Sequence, residues 1–286
     1  MHCLTVDVEE HFQVSAFDCS ERRQRWGELE SRVERNTERL LDLLAAREVR
    51  ATFFILGWVA ERHPDLVRAI ARNGHEIASH GYAHELITSQ TPTKFRYDVK
   101  RAKAILESLT GSLVLGYRAP SFTITSKTTW ALPILVEEGY AYDSSIVPIV
   151  HDRYGMPGAS PAPHCLATTA GPLWEVPPST LRIAGIRVPV VGGGYLRLYP
   201  FPVFRWFASR VAATHPLVIF VHPWELDPAQ PRMRGSPLSS FRQYRNLDKT
   251  EVRLRRLLDR FRFAPIREVI APVGRLYEGR GRREVG

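Results

Sequence analysis

The chain has 286 residues, 44% hydrophobic and 24% charged, an ordinary globular composition long enough to bury one large core. No run of 18 apolar residues occurs, which excludes a helical membrane span, and no basic segment backed by an apolar stretch precedes the first strand-like run, so a cytoplasmic protein is expected. The net charge of +9 lies largely in segments such as "RLRRLLDRFRF" and "EGRGRREVG"; these read as a solvated helix face and a frayed tail near 276–286, with peripheral contact to a membrane surface or a lipid-linked phosphate as the functional alternative and no nucleic-acid partner.

The first apolar run, residues 3–8, leads into "LTVDVEEHF". Asp7 and Glu9 stand two apart, so on a strand both side chains leave the same face, while Glu10 points the other way unless the strand has ended. One carboxylate of such a pair can hold a metal ion while its neighbour acts as a base. A solvated acidic turn is the plain alternative. A helix follows, with Val33, Thr37, Leu40, Leu41 and Leu44 on one face and Ser31 as its expected N-cap. Residues 51–56 form the second strand candidate, and Pro64 opens a helix through Leu66, Val67 and Ile70 that closes before Gly74.

The third strand candidate, residues 76–79, runs into "HEIASHGYAHE". His80 and His84 are four apart and share a face if this segment is helical, a metal-chelating spacing that gains weight from following an apolar run. His75 reads as structural. A helix bearing Phe95, Val99, Ala102, Leu106 and Leu109 precedes the fourth strand, 113–117. It ends on "GYRAPSF", where Arg118 can grip a carboxylate with both guanidinium arms. The fifth strand is 141–143. Residues 154–179 read as a long loop carrying Trp174 and Glu175. "LRIAGIRVPV" predicts a hairpin turning at Ala184 and Gly185, and "GGG" at 192–194 a flexible loop lining a cleft. The last strand, 217–221, delivers His222 and Trp224 in "PLVIFVHPWELDP", and a helix over about 249–261 follows. Three cysteines, Cys3, Cys19 and Cys165, show no metal spacing and fit a reducing compartment.

Alternating strands and helices imply a mostly parallel sheet. Strand after strand carries an ionisable residue at its C-terminal end, the edge where barrel folds place their active sites. The set resembles the NodB-homology polysaccharide deacetylases, carbohydrate esterase family 4, and within them a subgroup associated with exopolysaccharide and exosortase gene clusters. That subgroup's segments stand here as "TVDVEEHFQ", "HPWELDP" and "NLDKTEVRLRRLL", and the likeness covers roughly residues 2–270. It implies one catalytic domain over 1–286 with a distorted (β/α)7-type barrel, a β-hairpin insertion and a C-terminal helix.

The resemblance also implies site roles. The family's T-F-D-D-G motif matches at Asp7, the catalytic base; its second Asp is replaced by Val8, so the ligand role passes to Glu9, with Glu10 as fallback. H-[ST]-x-x-H matches as His80 and His84 with Gly81 at the hydroxyl position, R-x-P as Arg118 and Pro120, and L-x-H as Phe220-Val221-His222. The Trp-marked motif has no clean match, and "YDSSIVP" offers Asp143 and Ile146 in its place. Glu9, His80 and His84 would then hold one divalent ion, Zn2+ by default with Co2+ or Ni2+ also suited. Asp7, oriented by Arg118, would take a proton from water, and His222 would protonate the leaving amine. Trp174, Glu175, Tyr195 and Trp224 are the expected substrate contacts. The implied activity is N-deacetylation of an amino sugar in a bacterial glycan or glycan precursor. A deformylase on a lipid-linked sugar and a non-catalytic sugar-binding protein are the rival readings. The oligomeric state is left open.

Overall fold

A computed structural model describes residues 1–151 and 153–271; the tail expected to fray near 276–286 lies outside them. Its strands are β1 (His2–Val8), β2 (Thr52–Ile55), β3 (Glu76–Ser79), β4 (Gly116–Tyr117), β5 (Tyr142–Asp143), β6 (His164–Thr168), β7 (Gly171–Glu175), β8 (Thr180–Ile183), β9 (Ile186–Pro189), β10 (Val218–Val221) and β11 (Phe263–Ala264). One sheet runs β10-β1-β2-β3-β4-β5-β7-β6, with β11 also on β1. From β10 to β7 every neighbouring pair is parallel; β6 is antiparallel to β7. These are the seven parallel strands of the expected barrel, wrapped by the helices Val33–Ala45, Pro64–Arg72, Pro92–Thr110, Ala131–Glu137 and Phe201–Ala212.

The ladder does not close. Between β7 and β10 the chain runs through Pro177 and Pro178, which lack the N–H groups a ladder needs. Contact across this seam comes from Ser179, whose N–H donates to the Val218 carbonyl (3.2 Å) and whose hydroxyl accepts from the Val218 N–H (2.8 Å).

Strand parity sorts the core. Leu4, Val6 and Val8 of β1, with Phe53 and Ile55 of β2 and Ile219 and Val221 of β10, join the large cluster that also contains Leu40, Leu44, Val67 and Leu106 of the helices. The opposite face gives a smaller cluster of Cys3, Phe54, Ala78, Tyr142, Trp174, Val176 and Val218. Asp7 shares the parity of Cys3 and so belongs to this second face.

Register levels the strand ends. Val6 pairs with Val221, Val8 with Ile55, Ile55 with Ser79, Ser79 with Tyr117 and Tyr117 with Asp143. The residues just beyond, Glu9, His80, Arg118 and His222, therefore gather at one mouth.

Four local expectations need correction. Residues 154–179 are not all loop: β6 and β7 form an antiparallel pair there. The segment from His80 to His84 is not helical but a bend, with positive φ at Gly81 (74°) and His84 (50°). The triple glycine is not slack, because a Cβ on Gly192 would stand 1.6 Å from the Phe220 carbonyl oxygen, so only glycine allows this approach to β10. Ser31 does not cap its helix; Arg32 holds the N-cap position. The hairpin appears where expected, as β8 and β9 joined at Ala184 and Gly185, and the closing helix spans Thr250–Leu258.

Candidate functional site

Asp7 lies near the end of β1 and is almost fully buried. Its Oδ1 accepts from Arg118 Nη1 at 2.7 Å. Arg118, just beyond β4, has no exposed surface, and each arm is fixed: Nη1 also reaches Thr5 Oγ1 (2.7 Å), Nη2 reaches Ser144 Oγ (2.8 Å) and Nε the Ser144 carbonyl (3.1 Å). Such a guanidinium leaves Asp7 one free oxygen, Oδ2, which lies 4.0 Å from His222 Nε2.

Glu9 and Glu10 separate at the strand end. Glu10 turns to the helix Val33–Ala45, and its carboxylate accepts the N–H groups of Arg32 (3.1 Å to each oxygen) and Val33 (3.3 Å) and the Ser31 hydroxyl. It thus fills the capping role predicted for Ser31 and places a negative charge at the positive helix end. His11, 3.7 Å from Glu10, goes with it. Glu9 turns inward. Its Oε1 accepts from Trp224 Nε1 at 3.1 Å, while Oε2 lies 2.8 Å from His84 Nε2 without hydrogen-bond alignment. Burial alone pushes the Glu9 carboxyl up, but His84, His222 and His80 hold it down to about 2.

The two histidines reach Glu9 through the bend after β3. Gly81 stands where the family has a hydroxyl residue; its φ is +74° and a Cβ would meet Asp98 Oδ1 at 2.7 Å. The left-handed backbone at His84 is held by Arg23, which donates to the carbonyls of Ala83 (2.6 Å) and His84 (3.0 Å). His80 Nδ1 lies 2.8 Å from the Arg118 carbonyl, so Nδ1 carries the proton and Nε2 keeps a free lone pair. Burial lowers His80 to about 4, with His84 adding to the effect, which favours the neutral ring that a metal requires.

One ligand atom from each of Glu9, His80 and His84 lies within 4.8 Å of the others, and all three residues are buried. The donor set suits a divalent ion: two imidazole nitrogens, one ionised carboxylate and a buried Glu9 Oε2 with no hydrogen-bond donor. Glu9, and not Val8, is the strand-end residue grouped with the two histidines.

His222 follows β10. Its Nε2 lies 3.6 Å from Glu9 Oε1, its ring stacks on Trp224 at 4.8 Å, and its Nδ1 lies 3.0 Å from Glu225 Oε1. Burial would lower its pKa, but Glu225, Glu9 and Asp7 outweigh this and raise it to about 9. Glu225 was not singled out by sequence reasoning. The signal was there in "HPWE", an i, i+3 pair in one 3-10 turn directly after a strand.

These groups line a cleft of about 380 Å³. Trp224 and Tyr195 line it. Trp174 and Glu175 do not: both lie on β7, where Trp174 packs with Phe54 and Tyr142 and Glu175 faces Asp143 across the β5–β7 ladder. Asp143 is likewise withdrawn from the cleft. Burial pushes it up to about 6 and Glu175 well above the carboxylate range, so this pair retains a proton. Ile146 donates its N–H to Glu175 Oε1 at 3.1 Å.

Residues 17–138 match the family model described as polysaccharide deacetylase, and residues 144–271 one described as a domain of unknown function (DUF3473). A peptidoglycan deacetylase-like protein of Gibberella zeae is 35% identical over 108 residues, 38% of this chain and 31% of that protein. A peptidoglycan-N-acetylglucosamine deacetylase of Bacillus cereus is 37% identical over 75 residues, 26% of this chain and 27% of that protein. The chain thus spans about a third or less of the length of these relatives. A crystal structure from Mycobacterium smegmatis, assigned to the polysaccharide deacetylases, shares the fold with a TM-score of 0.63 at 23% identity, covering 95% of this chain and 88% of the other.

Proposed function

We propose that the chain is a polysaccharide deacetylase of the NodB-homology type (carbohydrate esterase family 4), a reading supported by the family model matching residues 17–138 and by the deacetylase relatives, and that it hydrolyses the acetamide of an N-acetylated amino sugar in a glycan or glycan precursor. The observation that carries this reading is the convergence, at one mouth of the sheet, of Glu9, His80 and His84 with the Asp7–Arg118 pair and His222.

Glu9, His80 and His84 would hold a divalent ion, Zn2+ by our assignment with Co2+ or Ni2+ also suited. When bound it would lower the pKa of water to about 7 and polarise the acyl carbonyl. Asp7 takes the proton of the attacking water on Oδ2, because Arg118 occupies Oδ1. Arg118 keeps Asp7 aimed. Water oxygen bonds to the acyl carbon, the C–N bond breaks, and His222 Nε2 gives a proton to the departing nitrogen, leaving acetate and an amine. Glu225 holds Nδ1, so Nε2 faces the reacting groups. Trp224 fixes both neighbours, donating to Glu9 and stacking on His222. Among the described residues no helix is long and apolar enough to cross a membrane.

The test is metal titration of the stripped protein against an N-acetylglucosamine oligomer, scoring acetate, formate and new amine. We expect acetate and amine in equal amounts, dependent on the added ion, and loss of both metal and activity in His80→Ala and His84→Ala. Unchanged metal content and activity in those variants would overturn the site. Release of formate from an N-formyl analogue alone would assign a different acyl group.

A further inference from the structure

The hydrolysis above makes no use of three guanidinium groups that line the same cleft: those of Arg153, Arg197 and Arg242. Arg197 is the informative one. It lies on the short helix Gly194–Leu198, is 1% exposed, and donates from Nη1 to the carbonyls of Gln243 (3.0 Å) and Arg245 (2.8 Å). Its Nε has no hydrogen-bond partner among the described residues. The nearest acid, Glu225 Oε1, stands 3.7 Å from Nη2 and is already engaged by His222 Nδ1 at 3.0 Å. A buried guanidinium on a cleft wall, offset only in part by one shared acid, keeps positive potential at that wall.

Arg242, on the helix Pro237–Tyr244, is exposed and makes no ion pair among the described residues. The cleft's acids offset this wall only in part, because Glu225 is shared between Arg197 and His222 and no acid pairs with Arg242 among the described residues. Asp7 is held by Arg118, Glu9 faces the two histidines and Glu225 serves His222.

We propose that the substrate carries an oxyanion, phosphate or carboxylate, which seats on the exposed Arg242 with the buried charge of Arg197 behind it, while the N-acyl group lies over Glu9 and His222. This rests on the deacetylase reading for the placement of the acyl group. A planar guanidinium suits either oxyanion, and its place on one wall would fix the sugar's direction as well as its charge.

Calorimetric binding to the metal-loaded full chain tests this with three probes: N-acetylglucosamine, its 1-phosphate, and N-acetylglucosaminuronic acid. At least one anionic sugar is expected to bind about tenfold tighter than the neutral one, the gain of one charge-assisted hydrogen bond. The phosphate and uronate arms identify which oxyanion is favoured. Arg242→Gln, a change at an exposed position, should cut that preference to about threefold or less. Equal binding of all three probes, binding of none, or a preference that survives Arg242→Gln would overturn the subsite. Binding is read without turnover, so the two readings fail separately. An anion preference without amide hydrolysis removes the activity and leaves the subsite. Hydrolysis of the neutral sugar with equal binding does the reverse.

Discussion

Replacing Glu225 by glutamine isolates the contact that His222 makes away from the reacting groups. Glutamine preserves the volume, and its carbonyl oxygen can still accept from Nδ1, so the ring keeps its direction and only the charge is lost. At the observed 3.0 Å, a unit charge in an effective dielectric of about 20 acts on an imidazolium with roughly 5 kcal/mol. Arg197 Nη2, 3.7 Å from the same oxygen, cancels much of this. A hydrogen bond to a charged acceptor contributes about 1.5–3 kcal/mol and one to a neutral acceptor about 0.5–1.5, so the net loss is about 1–2 kcal/mol. Placed on the transition state, that lowers kcat roughly 5- to 30-fold. The assay is steady-state acetate release with metal analysis of the same sample. Glu225 is not among the three grouped ligands, so metal content should hold at the wild-type level. An unchanged kcat, or a fall matched by equal loss of metal, would refute the positioning role.

Glu9 and Glu10 should separate experimentally as they do in space. Glu10→Gln weakens the cap on Arg32 and Val33 and costs about 1–2 kcal/mol in urea unfolding with metal content intact, whereas Glu9→Gln loses metal with little change in the apoprotein's midpoint; the reverse pattern would exchange their roles. His75 should govern part of the acid stability. Burial, with Arg50 adding, lowers it from 6.5 to about 4, and its Nδ1 accepts the Ala51 N–H at 3.2 Å, which requires the neutral ring. The unfolded chain then binds more protons between those values, so the stability this residue contributes is present above pH 6.5 and lost as pH falls toward 4. The loss is roughly 3 kcal/mol. Urea midpoints across that range should fall less steeply in His75→Phe; an unchanged slope would assign the loss to other groups.

What the sequence made legible was the set of strands buried on both faces. Their apolar runs are continuous, and β1, β3, β4 and β10 place Glu9, His80, Arg118 and His222 just beyond their ends at the mouth. β6 and β7 were illegible because β7 opens on Gly171 and Pro172 and β6 alternates between partly buried and exposed residues, which reads as loop composition. That error displaced Trp174 and Glu175 into a cleft they do not reach. The convergence of His80 and His84 was anticipated for the wrong local reason. Two positive-φ residues and an Arg23 clamp bring them together, and spacing alone cannot reveal either. The choice between Glu9 and Glu10 depended on where β1 ends and on a helix start 22 residues away, a tertiary fact. Glu225 was visible in its motif but needed the turn geometry to give it a partner.

β1 has consequences for how the molecule is made. It pairs with β2, which emerges soon after it, but also with β10 and β11; its Thr5 hydroxyl donates to a carbonyl 214 residues later. During synthesis the strand bearing Asp7 and Glu9 therefore waits, with one edge unpaired, until nearly all the described chain has left the ribosome. Such non-local closure slows folding and leaves a sticky apolar edge in the meantime. The strand bearing Asp7 and Glu9 is thus made before every partner it pairs with and is among the last of the described strands to be secured, and chaperone demand in the cell should track the time taken to translate from β1 to β10.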